Sequence, residues 1–546
     1  MHTRLFVLIL MTLAAPARAA EVDAQCSASQ EIDRYQLLRR LSLSLRGALP
    51  TYEEYVALDA EAALPEAWPE AWPEAWIDEM LASDEFRLVM RRFHADLLWP
   101  NLAGTALTDV AHVIAAGRDD DRWSVVGAQR RRLYRNGAGT ETCGDWLQTD
   151  FTAEGMPVTR PVTVDETTYD QDGYVLVRPY WAPETEIQVC AFDAQTAPSA
   201  MQGNQSVACD SLRGAGARGC GCGPELHWCY GNRADRTVLA ALAEQLGRMV
   251  DAHTVGGRPY SEMLTTRTTW TNGTLAFWKQ HLAAQVNLNR TYNERMTVDE
   301  PVIADAGFND ATWVESTRQA PHSGLLTLPG YTLRFQTNRG RANRFRTVFT
   351  HQSFIPPATT SDSDCDPTAA DLTQRCLCRH CHQVLEPLAA HFGGIAEAGS
   401  AVIAGAPQFP VYQPACDPTA QDNPNRPLAR GCDRFYVVDP EAHAPGTLLA
   451  HQYADIDDPL HRQIADNLAS GPEGLALSAI DLGLVHGAIT RHLFLALMGR
   501  ELVLDPGAGD NEIALLDELT TEFRGHDDMR AQVKRLVMLP QFRRVR

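Results

Sequence analysis

Thirteen cysteines over 546 residues, behind an N-terminal leader, restrict this chain more than any other feature. Residues 1–20 have the form of a secretory signal: Arg4 in a short basic start, an apolar run over 5–13, and Ala17-Arg18-Ala19 as a small-x-small cleavage site. Such a run is too short to cross a hydrocarbon layer that needs about 20 apolar residues, and no later stretch offers a long enough one. Cys26 follows the leader without the residues of a lipoprotein cleavage box. The expectation is therefore a protein exported to the periplasm or cell surface, with no transmembrane span, whose cysteines mature in an oxidising compartment.

Five cysteines cluster in the middle of the chain: Cys190, Cys209, Cys220, Cys222 and Cys229. Four more follow at Cys365, Cys376, Cys378 and Cys381, then Cys416 and Cys432. Disulfides are the default reading for the middle group, because loops poor in apolar residues need covalent staples. A zinc site built from Cys220, Cys222, His227 and Cys229 is the alternative, although C-x-C-x4-H-x-C fits no common two-knuckle spacing.

With 45% hydrophobic and 21% charged residues the chain has the composition of a folded protein. Lys and Arg number 48 against 69 Asp and Glu, a net charge of −21. That balance makes nucleic acid and anionic membrane surfaces poor partners, since both reward a basic surface. Only Lys279 and Lys534 are lysines, a bias that codon usage accounts for.

The periodicity predicts a mostly α fold: a multi-helix body with a disulfide-rich, short-stranded insertion and a cytochrome c-like haem segment. The regions are 1–20 (signal), 21–138 (N-terminal helices), 139–232 (Cys-rich insertion), 233–375 (central helices), 376–450 (the C-x-x-C-H segment and a long loop held by Cys416 and Cys432) and 451–546 (C-terminal helices). A helix over 31–45 stops at Arg46-Gly47. The next starts with Thr51 and Glu54 as a reciprocal capping box, with Tyr55, Val56 and Leu58 beginning its buried face. Residues 65–76 repeat Pro-Glu-Ala-Trp, placing Trp68, Trp72 and Trp76 four residues apart, a slippage duplication more than a binding stripe. Ser83 caps a further helix with Phe86, Met90, Phe93, Leu97 and Leu98 inward. Alternation around Tyr174-Val175-Leu176-Val177 marks a strand. Helical spacing returns over 234–250 through Val238, Leu239, Leu242, Leu246 and Met249, and again near 275–286 and 344–349. The tail from 477 to 542 carries two more amphipathic runs.

Cys378-Arg379-His380-Cys381-His382 is the strongest local signal. Two thiols three residues apart, followed by a histidine, are what covalent haem attachment requires: the thiols add across the haem vinyl groups and the histidine supplies the proximal iron ligand. At this composition the pattern is expected about 0.01 times per chain by chance. The alternatives are a thioredoxin-type redox pair, which needs a strand before the helix, and a plain disulfide beside a histidine. For a second axial ligand the candidates are Met498, Met529, Met538, His443, His451, His461 and His486. His391, nine residues after His382, reaches the opposite haem face only with difficulty. A second axial ligand implies electron transfer, and an open site implies small-ligand or peroxide chemistry. A single C-x-x-C-H disfavours a two-haem peroxidase.

Five phrases, RRLSLSLRGALPTYEEYVAL (39–58), WIDEMLASDEFRLVMRRFHADLLW (76–99), SGLLTLPGYTLRFQTNRGRANRFRTVF (323–349), CLCRHCHQVLEPLAAHFGG (376–394) and FRGHDDMRAQVKRLVMLPQFRRVR (523–546), resemble the planctomycete-type and myxobacterial cytochrome c-like exported proteins built from domains of unknown function. They cover about a fifth of the chain. The segment departs from that pattern at Glu386-Pro387, where the family has Asp-Pro, and at Ala389, Ala390 and His391. The resemblance implies an exported haem protein without supplying a substrate.

Arg334, Arg339, Arg341, Arg344 and Arg346 form a second cluster, suited to haem propionates or an acidic ligand, or else to internal pairing with the surplus carboxylates. No nucleophile elbow, metalloprotease His pair or phosphate-cradling Gly loop is present. The sequence thus points to an exported protein with one covalent haem c on Cys378 and Cys381, His382 as its iron ligand, passing single electrons to a redox partner. A haem-free disulfide-rich binding or scaffold protein and a haem enzyme with an open distal site are the alternatives.

Overall fold

The structure, a computed structural model, describes residues 30–60, 74–107, 112–117, 122–126, 143, 147–164, 166–211, 214, 217–283, 306–320, 322–353, 367, 376–395, 397, 399–400, 402 and 470–545. The leader, Cys26, Trp68, Trp72, Cys365, Cys416, Cys432, His443, His451 and His461 lie outside these residues. Two compact units divide the chain.

The first unit contains residues 30–60, 74–89, 493–502 and 530–545. Its opening helix, Arg34–Arg46, is capped at Asp33, whose carboxylate accepts from the N–H groups of Tyr35 and Gln36, and ends where Gly47 takes φ 69°. Glycine adopts that left-handed conformation without strain, so the stop read from the sequence has a backbone cause. The capping box forms as expected: Glu54 N–H donates to Thr51 Oγ1 at 3.2 Å and Thr51 N–H to Glu54 Oε2 at 2.7 Å. Arg46 adds an ion pair to Glu54. The helix behind this cap, Tyr52–Ala60, buries Leu58 alone. Tyr55 is half-buried and Val56 exposed, because this nine-residue helix turns only a narrow edge inward. Ile77, Met80 and Leu81 of Glu74–Ala82 are buried. The strands Gln30–Glu31 and Arg544–Val545 pair antiparallel, closing the unit between distant parts of the sequence. Arg40 reinforces the closure with hydrogen bonds to the carbonyls of Leu497 and Arg544.

The second unit contains the described residues of 90–492 and 503–529. Its longest helix is Ala234–Thr254, in which Val238, Leu239, Leu242, Leu246 and Met249 are all buried as the periodicity required. Asp84–Leu98 starts at Ser83, whose Oγ accepts from Phe86 N–H at 3.1 Å. Phe86, Met90 and Leu98 are buried, whereas Phe93 and Leu97 are half-buried and His94 is fully inside. Arg91 forks onto Asp251 through Nε (2.8 Å) and Nη2 (2.7 Å) and reaches Glu244 through Nη1 (2.7 Å), tying 91 to the long helix. A helix Gly273–Phe277, capped by Asn272, passes directly into one π-turn over Trp278–Leu282.

Around this helical part lie short strands. Ile114–Ala116, Trp123–Val125, Ile187–Cys190 and Tyr174–Val177 form a four-stranded sheet in that order, with Trp123–Val125 and Ile187–Cys190 parallel and the other pairs antiparallel. Arg160–Val164 with Thr167–Gln171, and Ser199–Gln202 with Gln205–Ala208, are separate hairpins. Strands this short bury little by themselves. Disulfides Cys143–Cys190, Cys209–Cys220 and Cys222–Cys229 hold the region together. Five middle cysteines cannot all pair among themselves; the sixth is Cys143. Beside the third disulfide, the Tyr180 ring stacks on Phe277 at 4.2 Å and its hydroxyl donates to the Cys229 carbonyl. Gly231 is required here, because the Trp181 ring occupies the space a Cβ would take.

The expectation of a mostly α protein holds only roughly. About half of the structure is helical, and small sheets with three disulfides accompany the helices.

At the end of the helix Ile513–His526, Asp527 joins three segments of this unit. Its carboxylate accepts from Ser261 Oγ (2.6 Å), Ser261 N–H (3.0 Å) and His486 Nε2 (3.1 Å), and its carbonyl from Tyr260 N–H (2.8 Å). Burial alone would raise the Asp527 carboxyl, but the hydrogen bonds from His486 and Ser261 together outweigh it and hold the group below its ordinary 3.8. The stability this supplies is complete above that ordinary value and is lost as pH falls through the lower folded-state one. Asp527→Asn is expected to cost about 2 kcal/mol at pH 7, with the gap to wild type closing in acid, as read by urea unfolding across pH. In the same assay, removal of Cys143–Cys190, which closes a 47-residue separation, is expected to cost about 4 kcal/mol. Removal of Cys222–Cys229, separated by 7, is expected to cost about 2.5 kcal/mol.

Candidate functional site

The C-x-x-C-H segment opens a helix. Leu377 takes φ 67°, which prevents the helix from extending backwards, and Arg379–Ala390 follows with Cys378 at its N-cap. The N–H groups of Cys381 and His382 donate to the Cys378 carbonyl at 3.1 and 3.0 Å. Cys378, Cys381 and His382 therefore occupy the first turn at spacing i, i+3, i+4, which sets them along one helix face. Both thiols are unbonded and half-buried. His382 is half-buried and His380 exposed.

Burial changes sharply along this helix. Leu388, Ala389, Ala390, His391 and Phe392 are all inside, so its C-terminal end is fixed in the core while its first turn remains accessible. His391 is thus a core residue at the far end from the thiols.

The partner of this helix is Asn338–Phe349. Thr337 caps it, accepting from Gly340 N–H, and Asn338, Arg341, Ala342, Phe345, Val348 and Phe349 form its buried face. Arg341 is fully buried and all five of its guanidinium N–H groups are used. Nε donates to Phe335 O, Nη1 to Asn338 Oδ1 and Ile395 O, and Nη2 to Thr332 O and Gly399 O, at 2.8–3.2 Å. Burial pushes the group down to about 10, still far above neutrality. Glu397 accepts from Asn338 N–H.

These bonds fix the direction of packing. Successive turns bring the chain from Leu388 to Ile395 within a short distance, and Ile395, Glu397 and Gly399 meet the first turn of Asn338–Phe349. The two helices pack against each other, with the start of Asn338–Phe349 near the residues that follow Arg379–Ala390.

Just after Asn338–Phe349 stands a histidine pair absent from the sequence-derived candidates. His351 follows the helix in the left-handed conformation, φ 52°. Its ring lies 4.4 Å from that of His492, centroid to centroid, and His492 Nε2 donates to the Val348 carbonyl at 3.1 Å. Burial, with His351 as a further cause, pushes His492 down to about 4, so its imidazole is neutral at physiological pH. Only helix ends and folded proximity bring these residues together; no local pattern marks them.

The other candidates are placed elsewhere. His486 Nε2 is bonded to Asp527, and Met529 is in the core. Met498 and Met538 belong to the first unit. Among the arginines, Arg334 donates to Trp99 O, Arg344 lies 3.8 Å over the Trp99 ring and donates to Asp96 O, and Arg346 donates to Gln352 Oε1. Backbone carbonyls, the Gln352 side chain and the Trp99 ring thus receive these three arginines. The zinc alternative is overturned: Cys220, Cys222 and Cys229 are in disulfides, and His227 Nε2 bonds Glu225. Among the described residues no group of three or more His, Cys, Asp or Glu side chains is placed to hold a metal ion alone.

The first turn of Arg379–Ala390 thus carries two unbonded thiols and an adjacent imidazole, the donor types that thioether attachment of a haem would use. No family model, no curated protein and no solved structure matches this chain.

Proposed function

We propose that the chain is an exported c-type haem protein that passes single electrons, with one haem held covalently by Cys378 and Cys381 and ligated by His382. The observation that carries this reading is the contrast among cysteines. The six described cysteines of 143–229 are all stapled, while the C-x-x-C pair is unbonded in the first turn of a helix with His382 beside it. When bound, haem supplies one-electron oxidation and reduction at its iron. The residues of this chain contribute a rigid attachment: the helix is fixed in the core at one end and open at the other, where a partner protein has access.

Export is supported by the leader and by disulfides, which persist in oxidising compartments. Among the described residues no single helix is long and apolar enough to cross a membrane. The resemblance of residues 376–394 to cytochrome c-like exported proteins points the same way.

The test is the full chain, exported from a host with c-haem maturation machinery and analysed by intact mass and pyridine haemochrome spectrum. The expected wild type carries one covalent haem with a c-type spectrum, and Cys378→Ala/Cys381→Ala loses both. A colourless wild type at apo mass would replace this reading with that of a disulfide-stapled binding protein.

A further inference from the structure

We infer that a cavity in the first unit, whose lining includes Leu49, Trp76, Glu79, Met80 and Glu85, is a binding site for a small organic cation, an alkylammonium or guanidinium head. This inference is independent of the haem reading.

The cavity has a volume of about 260 Å³ and is lined from two inter-helix turns, 48–51 and 83, and from the helices beside them. Pockets for drug-sized molecules start at roughly 300 Å³, so this one has room for a single head group or side chain. Its apolar lining is only partly covered by the protein. Met80 is inside, but Trp76 is half-buried and Leu49 is 59% exposed. An indole and a leucine thus meet water where a ligand would cover them.

Carboxylates set the sign of that ligand. Outside the cavity, Glu74 and Asp78 pair with Lys534, and Asp84 pairs with Arg87. Glu79 and Glu85, which line it, are exposed and take part in no ion pair among the described residues. The third carboxylate of the lining, Glu54, is paired with Arg46 at 2.7 Å, and the same guanidinium donates to the Ser42 hydroxyl. The cationic side chain in the lining is therefore neutralised internally, and two negative charges remain. An indole attracts cations through its quadrupole, and the two carboxylates add Coulomb attraction. Anions are repelled, and a neutral apolar group gains contact area alone. The chain's net charge of −21 also favours the approach of cations.

The experiment uses the full exported chain in ligand-observed NMR titrations with choline, with N-acetylarginine methylamide, and with the neutral tert-butyl analogue of choline. Both cations are expected to bind saturably with a dissociation constant on the order of 1 mM, and the neutral analogue is expected not to saturate over the same range. Glu79→Gln/Glu85→Gln removes both charges while keeping the shape, and is expected to weaken cation binding about fivefold. Trp76→Leu is expected to weaken it about threefold. Glu53→Gln, at an exposed position outside the cavity, is expected to bind as wild type does. Equal urea midpoints for wild type and the double Gln variant show that the fold is retained. Tighter binding of the arginine derivative assigns the head group to a polypeptide side chain, and tighter binding of choline to a free ammonium compound. Three results each overturn the assignment: no saturation by either cation, equal binding of the neutral analogue, or a double Gln variant that binds as wild type does.

Discussion

The burial of Arg341 sets the geometry on which the candidate site depends. A guanidinium fully removed from water costs several kcal/mol unless every donor is satisfied, and here all five N–H groups find oxygen acceptors. Four of those acceptors are backbone carbonyls, from Thr332 and Phe335 before the Asn338–Phe349 helix and from Ile395 and Gly399 after Arg379–Ala390. One side chain therefore determines how two helices and both flanking loops meet. Lysine has three donors on a point charge and could not replace this planar fork. Arg318 repeats the solution in miniature: also buried, it donates to the carbonyls of Gly324 and Thr327 and to the Thr327 hydroxyl. The excess of arginine over lysine, uninformative in the sequence, thus has structural uses at these two positions.

The disulfide region solves a different problem. Its strands are three to five residues long, too short to provide an independent hydrophobic face, so stability must come from outside the ladder. Covalent closure reduces the freedom of the unfolded chain, and the aromatic group of Tyr180, Trp181, Phe277 and Phe308 supplies buried area next to Cys222–Cys229. The hairpin Ser199–Gln202 with Gln205–Ala208 lies near a smaller apolar cluster containing Cys209 and Cys220. Staples and rings together do what a longer sheet would do with alternating side chains.

Features set by local physics were legible in the sequence. The Thr51–Glu54 box, the Ser83 cap, the stop at Gly47 and the buried stripe of Ala234–Thr254 each depend on residues within a turn or two of one another. The C-x-x-C-H turn is equally local, and its opening of a helix is where that spacing puts three side chains on one face. Features requiring distant segments were not legible. Cys143 lies 47 residues from Cys190, and connectivity cannot be deduced from spacing. The acceptors of Arg341 are mostly backbone carbonyls, which every residue has and no sequence pattern marks. Val56 failed as a core position because periodicity shows which side of a helix is apolar but not how much of that side the neighbours cover.

The same limitation explains why the pair His351 and His492 was not among the histidines considered as ligands. A residue near the thiols in space must belong to an element packed against Arg379–Ala390, and that element is selected by Arg341, 37 residues or more before the motif in sequence. With the C-terminal end of Arg379–Ala390 anchored by Leu388, Ala389, Ala390 and Phe392, rotation or sliding of the helix would expose apolar area and break the Ile395 and Gly399 contacts. The first turn is therefore accessible yet not free to wander. In this segment precision comes from rigid elements and access from incomplete burial. His351, just after Asn338–Phe349, has a left-handed backbone and packs against the His492 ring.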